Sequence, residues 1–129
     1  MRKTKKVLLF AVILVVLGSF LASMFHTSFF QVKVKEIEFE TERGTLSGLL
    51  YMPKGAGEEE PRPVIVTTHG YLNTKEMQDA SAIEMSRRGY IVLAVDMYDH
   101  GDSRWKDEIK VGEQFATFWI YSQIDAANY

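Results

Sequence analysis

Two polar motifs carry the residues of this chain that could do chemistry, and each follows a short apolar run. His69-Gly70-Tyr71 comes directly after the run 64–68, and the segment 96–103 (DMYDHGDS) comes directly after the run 90–95. Both runs are expected to be strands buried on both faces. About twenty residues separate the runs, enough for one crossover helix, so the pattern predicts two parallel strands with a right-handed connection. Ligands of such sheets bind at the carboxyl ends of the strands, where both motifs would lie.

The order and spacing of these motifs resemble the amino-terminal part of the α/β-hydrolase superfamily. Its members have a His-Gly turn after the third strand, and a Gly-Tyr before the fourth, as at Gly89-Tyr90 here. An Asp-x-x-Gly-x-Gly-x-Ser-like turn follows the fourth strand. The present chain departs from that turn in having Asp99 at the first glycine and Tyr98 where an arginine is common. The resemblance covers about residues 32–129.

The resemblance implies a serine hydrolase that works through an acyl-enzyme intermediate. In the superfamily the nucleophile lies on a Gly-x-Ser-x-Gly turn that supplies one oxyanion donor, and a backbone N–H after the third strand supplies the other. The backbone N–H of Tyr71 is then this second donor, with His69 and Gly70 shaping the loop. Gly70 would let the backbone bend sharply without a Cβ clash. The alternative is that His69-Gly70 is only a turn that ends a strand.

No serine in the chain fits the nucleophile turn. The segment 101–105 begins like it but lacks its last glycine and lies several residues beyond its strand, and the segment 44–48 has the wrong spacing. The triad nucleophile, acid and base are therefore expected beyond Tyr129. Because a hydrolase core usually needs about twice 129 residues, residues 32–129 are expected to be an incomplete domain that is inactive alone.

Metal and cofactor chemistry is not expected from these residues. His100 lies beside Asp99 and Asp102, but consecutive residues on a turn rarely converge on one atom. The two aspartates are expected instead to stabilise the turn by accepting hydrogen bonds from backbone amides. His69 has no ligand-type neighbour at metal-binding spacing and is expected to pack at the strand end and bond the loop. Cysteine is absent, which excludes thiolate sites and disulfides.

The chain begins with a basic segment, residues 1–6, followed by an almost wholly apolar stretch, residues 7–25. As a helix this stretch would span roughly 28 Å, close to the ~30 Å hydrocarbon core of a bilayer. The basic residues favour a cytoplasmic amino terminus, so we expect a single-pass signal-anchor in the cell membrane with the globular part outside. A cleaved signal peptide is the alternative, although no small-x-small cleavage site is clean.

Residues 26–31 are read as a linker, and an antiparallel hairpin is predicted to follow it. Its strands are 32–41 and 45–52, with a turn at 42–44. The apolar alternation of the first strand breaks between Val34 and Ile37, which indicates a bulge.

Two helices are predicted around the second motif. Asn73 is the expected N-cap of the crossover helix, with Ala82, Met85 and Ser86 facing inward. A further helix is predicted from Gly112 with an apolar stripe at Ile120, Ile124 and Ala127. The aromatic cluster of this segment is interpreted as core, or alternatively as the lining of an acyl pocket: Phe115, Phe118, Trp119 and Tyr121.

Together these patterns predict an α/β protein. An antiparallel hairpin and a parallel strand–helix–strand unit form the amino-terminal part of an α/β-hydrolase sheet, preceded by one transmembrane helix. The expected partners are the membrane, through residues 7–25, and a small-molecule or peptide acyl substrate. Nucleic acid is not expected, because no basic patch follows the first segment. The alternatives are a non-catalytic hydrolase-like binding module and a membrane-anchored structural piece.

Overall fold

The computed structural model describes residues 2–108, 110 and 112–129 as one long helix followed by a mixed sheet with helices on both faces. The elements, in chain order, are α1 (Arg2–His26), β1 (Val32–Glu40), β2 (Gly44–Pro53), β3 (Val64–Thr68), a 3-10 turn (Lys75–Gln78), α2 (Asp79–Arg87), β4 (Ile91–Val95), β5 (Arg104–Trp105), a π-helical turn (Ala116–Tyr121) and α3 (Ser122–Ala127).

The sheet has the order β1-β2-β4-β3, and β5 pairs with the beginning of β2. Strands β1 and β2 form an antiparallel hairpin, β2 and β4 are antiparallel, and β3 and β4 are parallel. The crossover between the parallel pair contains the 3-10 turn and α2. The predicted fold class, an antiparallel hairpin joined to a parallel strand–helix–strand unit, is confirmed.

The bulge predicted in the first strand is wrong. Pairing between β1 and β2 is continuous from Val32 opposite Pro53 to Glu40 opposite Thr45. The alternation breaks because the buried side of β1 changes along the strand. Val32 packs on the sheet face that α2 covers, whereas Phe39 packs on the opposite face against α3. A face change of this kind needs no extra residue, since successive side chains already point to opposite faces.

The two faces of the sheet form separate cores. The α2 face buries one set of side chains: Val32, Tyr51, Ala82, Val92 and Ala94. The α3 face buries another: Phe39, Leu46, Leu93, Val95, Tyr98 and Ala126. Strand β4 contributes to both, as predicted for an apolar run that is buried on two sides. In the part of the chain that is described, β3 pairs only with β4, and it is half-buried with Val64 exposed, so the same prediction is wrong for β3.

The crossover helix begins later than the sequence suggests. The first helical turn is the 3-10 turn at Lys75, with Thr74 rather than Asn73 as its N-cap, and α2 starts at Asp79. Ala82 and Ser86 are buried one helical turn apart, as predicted. Met85 is 41% exposed, because it lies about 100° around the helix from Ser86.

The apolar stripe predicted for the second helix is not the buried face that the structure shows. It passes through a π-helical turn before α3, which rotates the residues that follow. Ile120, within this turn, is exposed, and so are Ile124 and Ala127 after it. The buried positions in this segment are instead Thr117, Ser122, Asp125 and Ala126.

Helix α1 stands apart from both cores. The helix over residues 3–26 contains an 18-residue window of mean hydropathy 2.7, and none of that window is buried in the protein. It is long and apolar enough to span a membrane by length and composition. The helix meets the domain at its end, where His26 Nδ1 lies 3.2 Å from Asp79 Oδ2 at the start of α2.

Candidate functional site

The loop after β3 and the turn after β4 lie side by side at one edge of the sheet. The parallel register pairs Thr68 with Val95, the last residues of the two strands, so His69 and Asp96 leave the sheet together. Both side chains are almost wholly buried. The sheet therefore brings together the two motifs that the sequence singled out.

His69 is held by hydrogen bonds to both of its ring nitrogens. Its Nε2 accepts a hydrogen bond from the backbone N–H of Met97 at 3.0 Å, so its proton is on Nδ1, which donates to the Gly70 carbonyl at 2.8 Å. The expected role for His69, packing at the strand end and bonding the loop, matches this geometry. With both nitrogens engaged, His69 is not free to act as a base or a metal ligand. Among the described residues no three His, Asp or Glu side chains form a metal-binding group.

The sharp bend of the loop falls at Leu72 rather than at Gly70. Leu72 has a left-handed φ of 58°, whereas Gly70 is not among the residues with positive φ. A Cβ at Gly70 would meet only Asn73 Nδ2, at 3.8 Å, which is an ordinary contact. The steric reason expected for a glycine at position 70 therefore does not apply. The Gly70 carbonyl shapes the loop instead, by accepting hydrogen bonds from His69 Nδ1 and from the Asn73 N–H.

Tyr71 presents a backbone donor at this edge. Within the ranges that the structure covers, its N–H has no hydrogen-bond acceptor. Its side chain is 61% exposed, stacks on Trp119 at 5.9 Å between ring centroids, and meets the edge of the His100 ring at the same distance. This N–H therefore has no described hydrogen bond to lose on meeting a ligand, and its assignment to an oxyanion stays a prediction.

The aromatic residues of the second helical segment divide into two groups. Tyr121 is half-buried and packs against the α3-face core, as the core interpretation predicts. Phe115 is 67% exposed and stacks on Trp119, which in turn stacks on Tyr71. Phe118 meets the His100 ring edge-on. These rings form a surface beside the candidate donor rather than a closed core.

Asp96 is the centre of the hydrogen bonding beneath the loop. Its Oδ1 accepts from the backbone N–H of Lys75 at 2.7 Å. Its Oδ2 accepts from Lys75 Nζ at 2.9 Å and from the N–H of Asp102 at 3.0 Å. Both Asp96 and Lys75 are fully buried, with exposed fractions of 0% and 1%. A buried carboxylate is stable only with such partners, so the Asp96 contacts fix the end of β4.

The ammonium of Lys75 lies among several carboxylates. It donates to Asp102 Oδ2 at 2.7 Å, and Glu36 Oε1 and Glu76 Oε1 are 3.4 Å and 3.8 Å away. Burial acts to lower the pKa of Lys75, but its hydrogen bonds to Asp102 and Asp96 outweigh burial and raise that pKa above its ordinary value. The hydrogen bond from Lys75 holds the pKa of Asp102 below its usual range. Lys75 was not identified from the sequence.

The turn after β4 is stabilised in a partly unexpected way. Asp99 Oδ1 accepts a hydrogen bond from the Trp105 N–H at 3.1 Å, as predicted. The Asp102 carboxylate bonds Lys75 rather than a backbone amide, because the buried ammonium lies within its reach. The hydroxyl of Ser103 donates to the Asp96 carbonyl at 2.8 Å and accepts from the Ser47 N–H at 2.9 Å. Both serines are buried.

The sheet order and the paired strand ends define a mixed α/β fold with both motifs at one edge of the sheet. Among solved structures, the chain is similar to the thioesterase domain from the curacin biosynthetic pathway, with 20% identity and a TM-score of 0.56. That match covers 74% of this chain and 32% of the thioesterase domain chain. A hypothetical protein from Pseudomonas aeruginosa matches with 22% identity and a TM-score of 0.58 over 76% of this chain and 30% of its own.

The chain thus spans about a third of the length of the solved structures that it matches. No protein-family profile matches it, and no curated protein does. At these identities the likeness shows the fold alone.

Proposed function

We propose that the protein is a membrane-anchored acyl hydrolase that cleaves ester or amide bonds, with the Tyr71 N–H as one donor of its oxyanion hole. The observation that carries the proposal is the N–H of Tyr71, which has no acceptor among the described residues and belongs to the loop at the carboxyl edge of the sheet. A backbone N–H that bonds no other group of the protein breaks no hydrogen bond when it binds a ligand. Such a donor stabilises charge that develops on an acyl oxygen.

The chemistry of the proposal is acyl transfer. A nucleophilic hydroxyl gives its proton to the base and adds to the acyl carbon, the carbonyl oxygen becomes an oxyanion, and the Tyr71 N–H donates to it. Collapse expels the alcohol or amine, which takes that proton from the base, and leaves an acyl-enzyme, which water then cleaves. The proposal places the nucleophile, base and acid carboxyl-terminal to residue 129. One structural neighbour is a thioesterase domain, and thioester cleavage is acyl transfer of the same kind.

A serine-directed fluorophosphonate probe tests the hydrolase. We expect the intact protein, purified with its membrane segment, to be labelled, and mass spectrometry to map the label to a serine outside residues 1–129. Hydrolysis of p-nitrophenyl esters should fall in proportion to labelling. Labelling of Ser47 or Ser103, or an intact protein that binds acyl ligands but is neither labelled nor active, would contradict the proposal. The second outcome would support a binding module.

The membrane half of the proposal is supported by α1. Its exposed apolar surface has no partner in the described part of the protein, and the hydrocarbon core of a bilayer would cover it. The four basic residues that precede residue 7 favour the cytoplasmic side for the amino terminus. The proposed site is then outside the cytoplasm.

Protease accessibility on intact cells tests this orientation. We expect added protease to digest the portion after His26 while an epitope tag at the amino terminus stays protected. Permeabilised cells, in which the tag is also digested, are the control. Protection of the globular part until the membrane is opened would show that the orientation is reversed. Release of the globular part into the medium would show a cleaved signal peptide.

A further inference from the structure

We propose that Lys75 is a positioning residue for the oxyanion site: it holds the Tyr71 loop, residues 70–74, against the end of β4 through buried Asp96. The inference rests on the proposed function, because it concerns the same Tyr71 donor. It assigns a role to a buried ion pair that takes no part in the acyl-transfer step itself.

Both ends of the Tyr71 loop are fixed to consecutive residues of the β4 exit. At the amino end, His69 Nε2 accepts from the Met97 N–H at 3.0 Å. At the carboxyl end, the Lys75 N–H donates to Asp96 Oδ1 at 2.7 Å. Between these points the loop makes few hydrogen bonds besides its own turn, in which the Asn73 N–H donates to the Gly70 carbonyl at 3.3 Å. The position of the Tyr71 N–H is therefore set by the two attachments together with the contacts of the Tyr71 ring with Trp119 and His100.

The ammonium of Lys75 makes the carboxyl-end attachment possible. The Asp96 carboxylate is wholly buried, and Lys75 Nζ supplies the opposite charge at 2.9 Å from its Oδ2. The same ammonium reaches Asp102, whose own N–H donates to Asp96 Oδ2. One side chain thus joins the loop end, the end of β4 and the turn that follows it. Without the ammonium, the carboxylate that receives the Lys75 N–H would be a buried charge without a cation.

Positioning matters because an oxyanion donor works only at hydrogen-bond distance from the developing charge. A misplacement of about 1 Å can lower a rate on the order of 10²-fold. Tyr71 lies only four residues before Lys75, so a shift of Lys75 away from Asp96 moves the donor directly. A residue that served stability alone would change the melting temperature without changing the donor's position in the folded protein.

The test uses the double variant Lys75→Met with Asp96→Asn in the intact protein, which removes both charges together and leaves no unpaired buried charge. The matched control is Arg43→Met with Asp125→Asn, an ion pair between the hairpin turn and α3 that bonds no residue of 69–75 in the described chain. Each protein is assayed for kcat and KM on a p-nitrophenyl ester, for melting temperature, and for amide hydrogen exchange at Asn73 and Met97, well below the melting temperature.

We expect the Lys75 double variant to lose about tenfold or more in kcat with KM within about twofold, and its Asn73 and Met97 amides to exchange at least about tenfold faster. The control should lower the melting temperature but leave kcat and both amides unchanged. Unchanged kcat and exchange in the folded Lys75 variant would overturn the proposal. If that variant does not fold, Asp102→Asn, which keeps an acceptor oxygen but removes the negative charge beside the ammonium, should give the same changes to a smaller extent. Their absence would equally overturn the proposal. If the wild-type protein hydrolyses no ester, the proposed function fails. The exchange rates then still test whether Lys75 holds the Tyr71 loop against the end of β4.

Discussion

Replacing the Tyr71 amide by an ester, which removes the N–H and keeps the side chain, is expected to lower kcat of the intact protein by about 10²–10³ with little change in KM. The replacement is made by incorporating the hydroxy-acid analogue of tyrosine at position 71. The expected loss is large because the proposed donor would act on charge that exists only in the transition state. Its contribution therefore appears in kcat rather than in substrate binding.

The side chain of Tyr71 provides the matched control. Tyr71→Phe keeps the N–H and the ring that stacks on Trp119 and meets His100, and it removes only the hydroxyl. This variant should keep most of the activity. Comparable losses from the ester and from Tyr71→Phe would show that the hydroxyl is the functional group. Full activity of the ester protein would place the oxyanion donor elsewhere.

The elements that position this donor could be predicted because their signals are local. The apolar β-branched runs predicted at 64–68 and 90–95 form strands, the second beginning at Ile91, and the spacing between them fits a crossover with a helix. The turn at 42–44 and the alternating residues around it predict the hairpin, which forms with unbroken register. These patterns depend on backbone propensity and burial within a few residues of each other, which a sequence shows directly.

The predictions about β1 and β3 were wrong because burial there depends on tertiary packing. The change of buried face along β1 depends on which helix covers each end of the strand. The break in the apolar alternation between Val34 and Ile37 is compatible both with such a change of face and with a bulge. Exposure of Val64 in β3 depends on how many strands flank it. A run of apolar residues indicates burial but not the neighbours that provide it.

The Lys75–Asp96 ion pair could not be predicted for a related reason. Its partners are 21 residues apart in the chain, and no periodicity links a lysine before a helix to an aspartate after a strand. The available signal was indirect. An aspartate that directly follows a buried strand must be satisfied by nearby donors, and the parallel register places the loop after β3 beside it. Lys75 is the first cation after that loop.

The turn after β4 depends on a glycine at position 101, and Gly101→Ala is expected to cost about 3–5 kcal/mol of unfolding free energy. Gly101 has a left-handed φ of 51°. A Cβ there would lie 2.6 Å from Asp96 Oδ1 and closer still to the other carboxylate atoms. Since Asp96 is wholly buried, the carboxylate could not move aside without losing hydrogen bonds from Lys75 and from the Asp102 N–H.

Substitutions at two other glycines distinguish the effect of the Cβ contact with Asp96 from the effect of backbone strain. Gly89→Ala introduces a side chain at a φ of 99°, where its Cβ meets only Arg62 Nη1 at 3.9 Å, so the cost should be about 1–2 kcal/mol from strain alone. Gly57→Ala enters open space without a positive φ and should change stability by less than about 1 kcal/mol. Urea unfolding of the intact protein in nanodiscs, followed by tryptophan fluorescence, measures all three. If Gly101→Ala lowers the free energy of unfolding no more than Gly89→Ala does, backbone strain accounts for the whole effect. Asp96 could then move from its place beneath the Tyr71 loop without loss of stability, which would contradict the prediction.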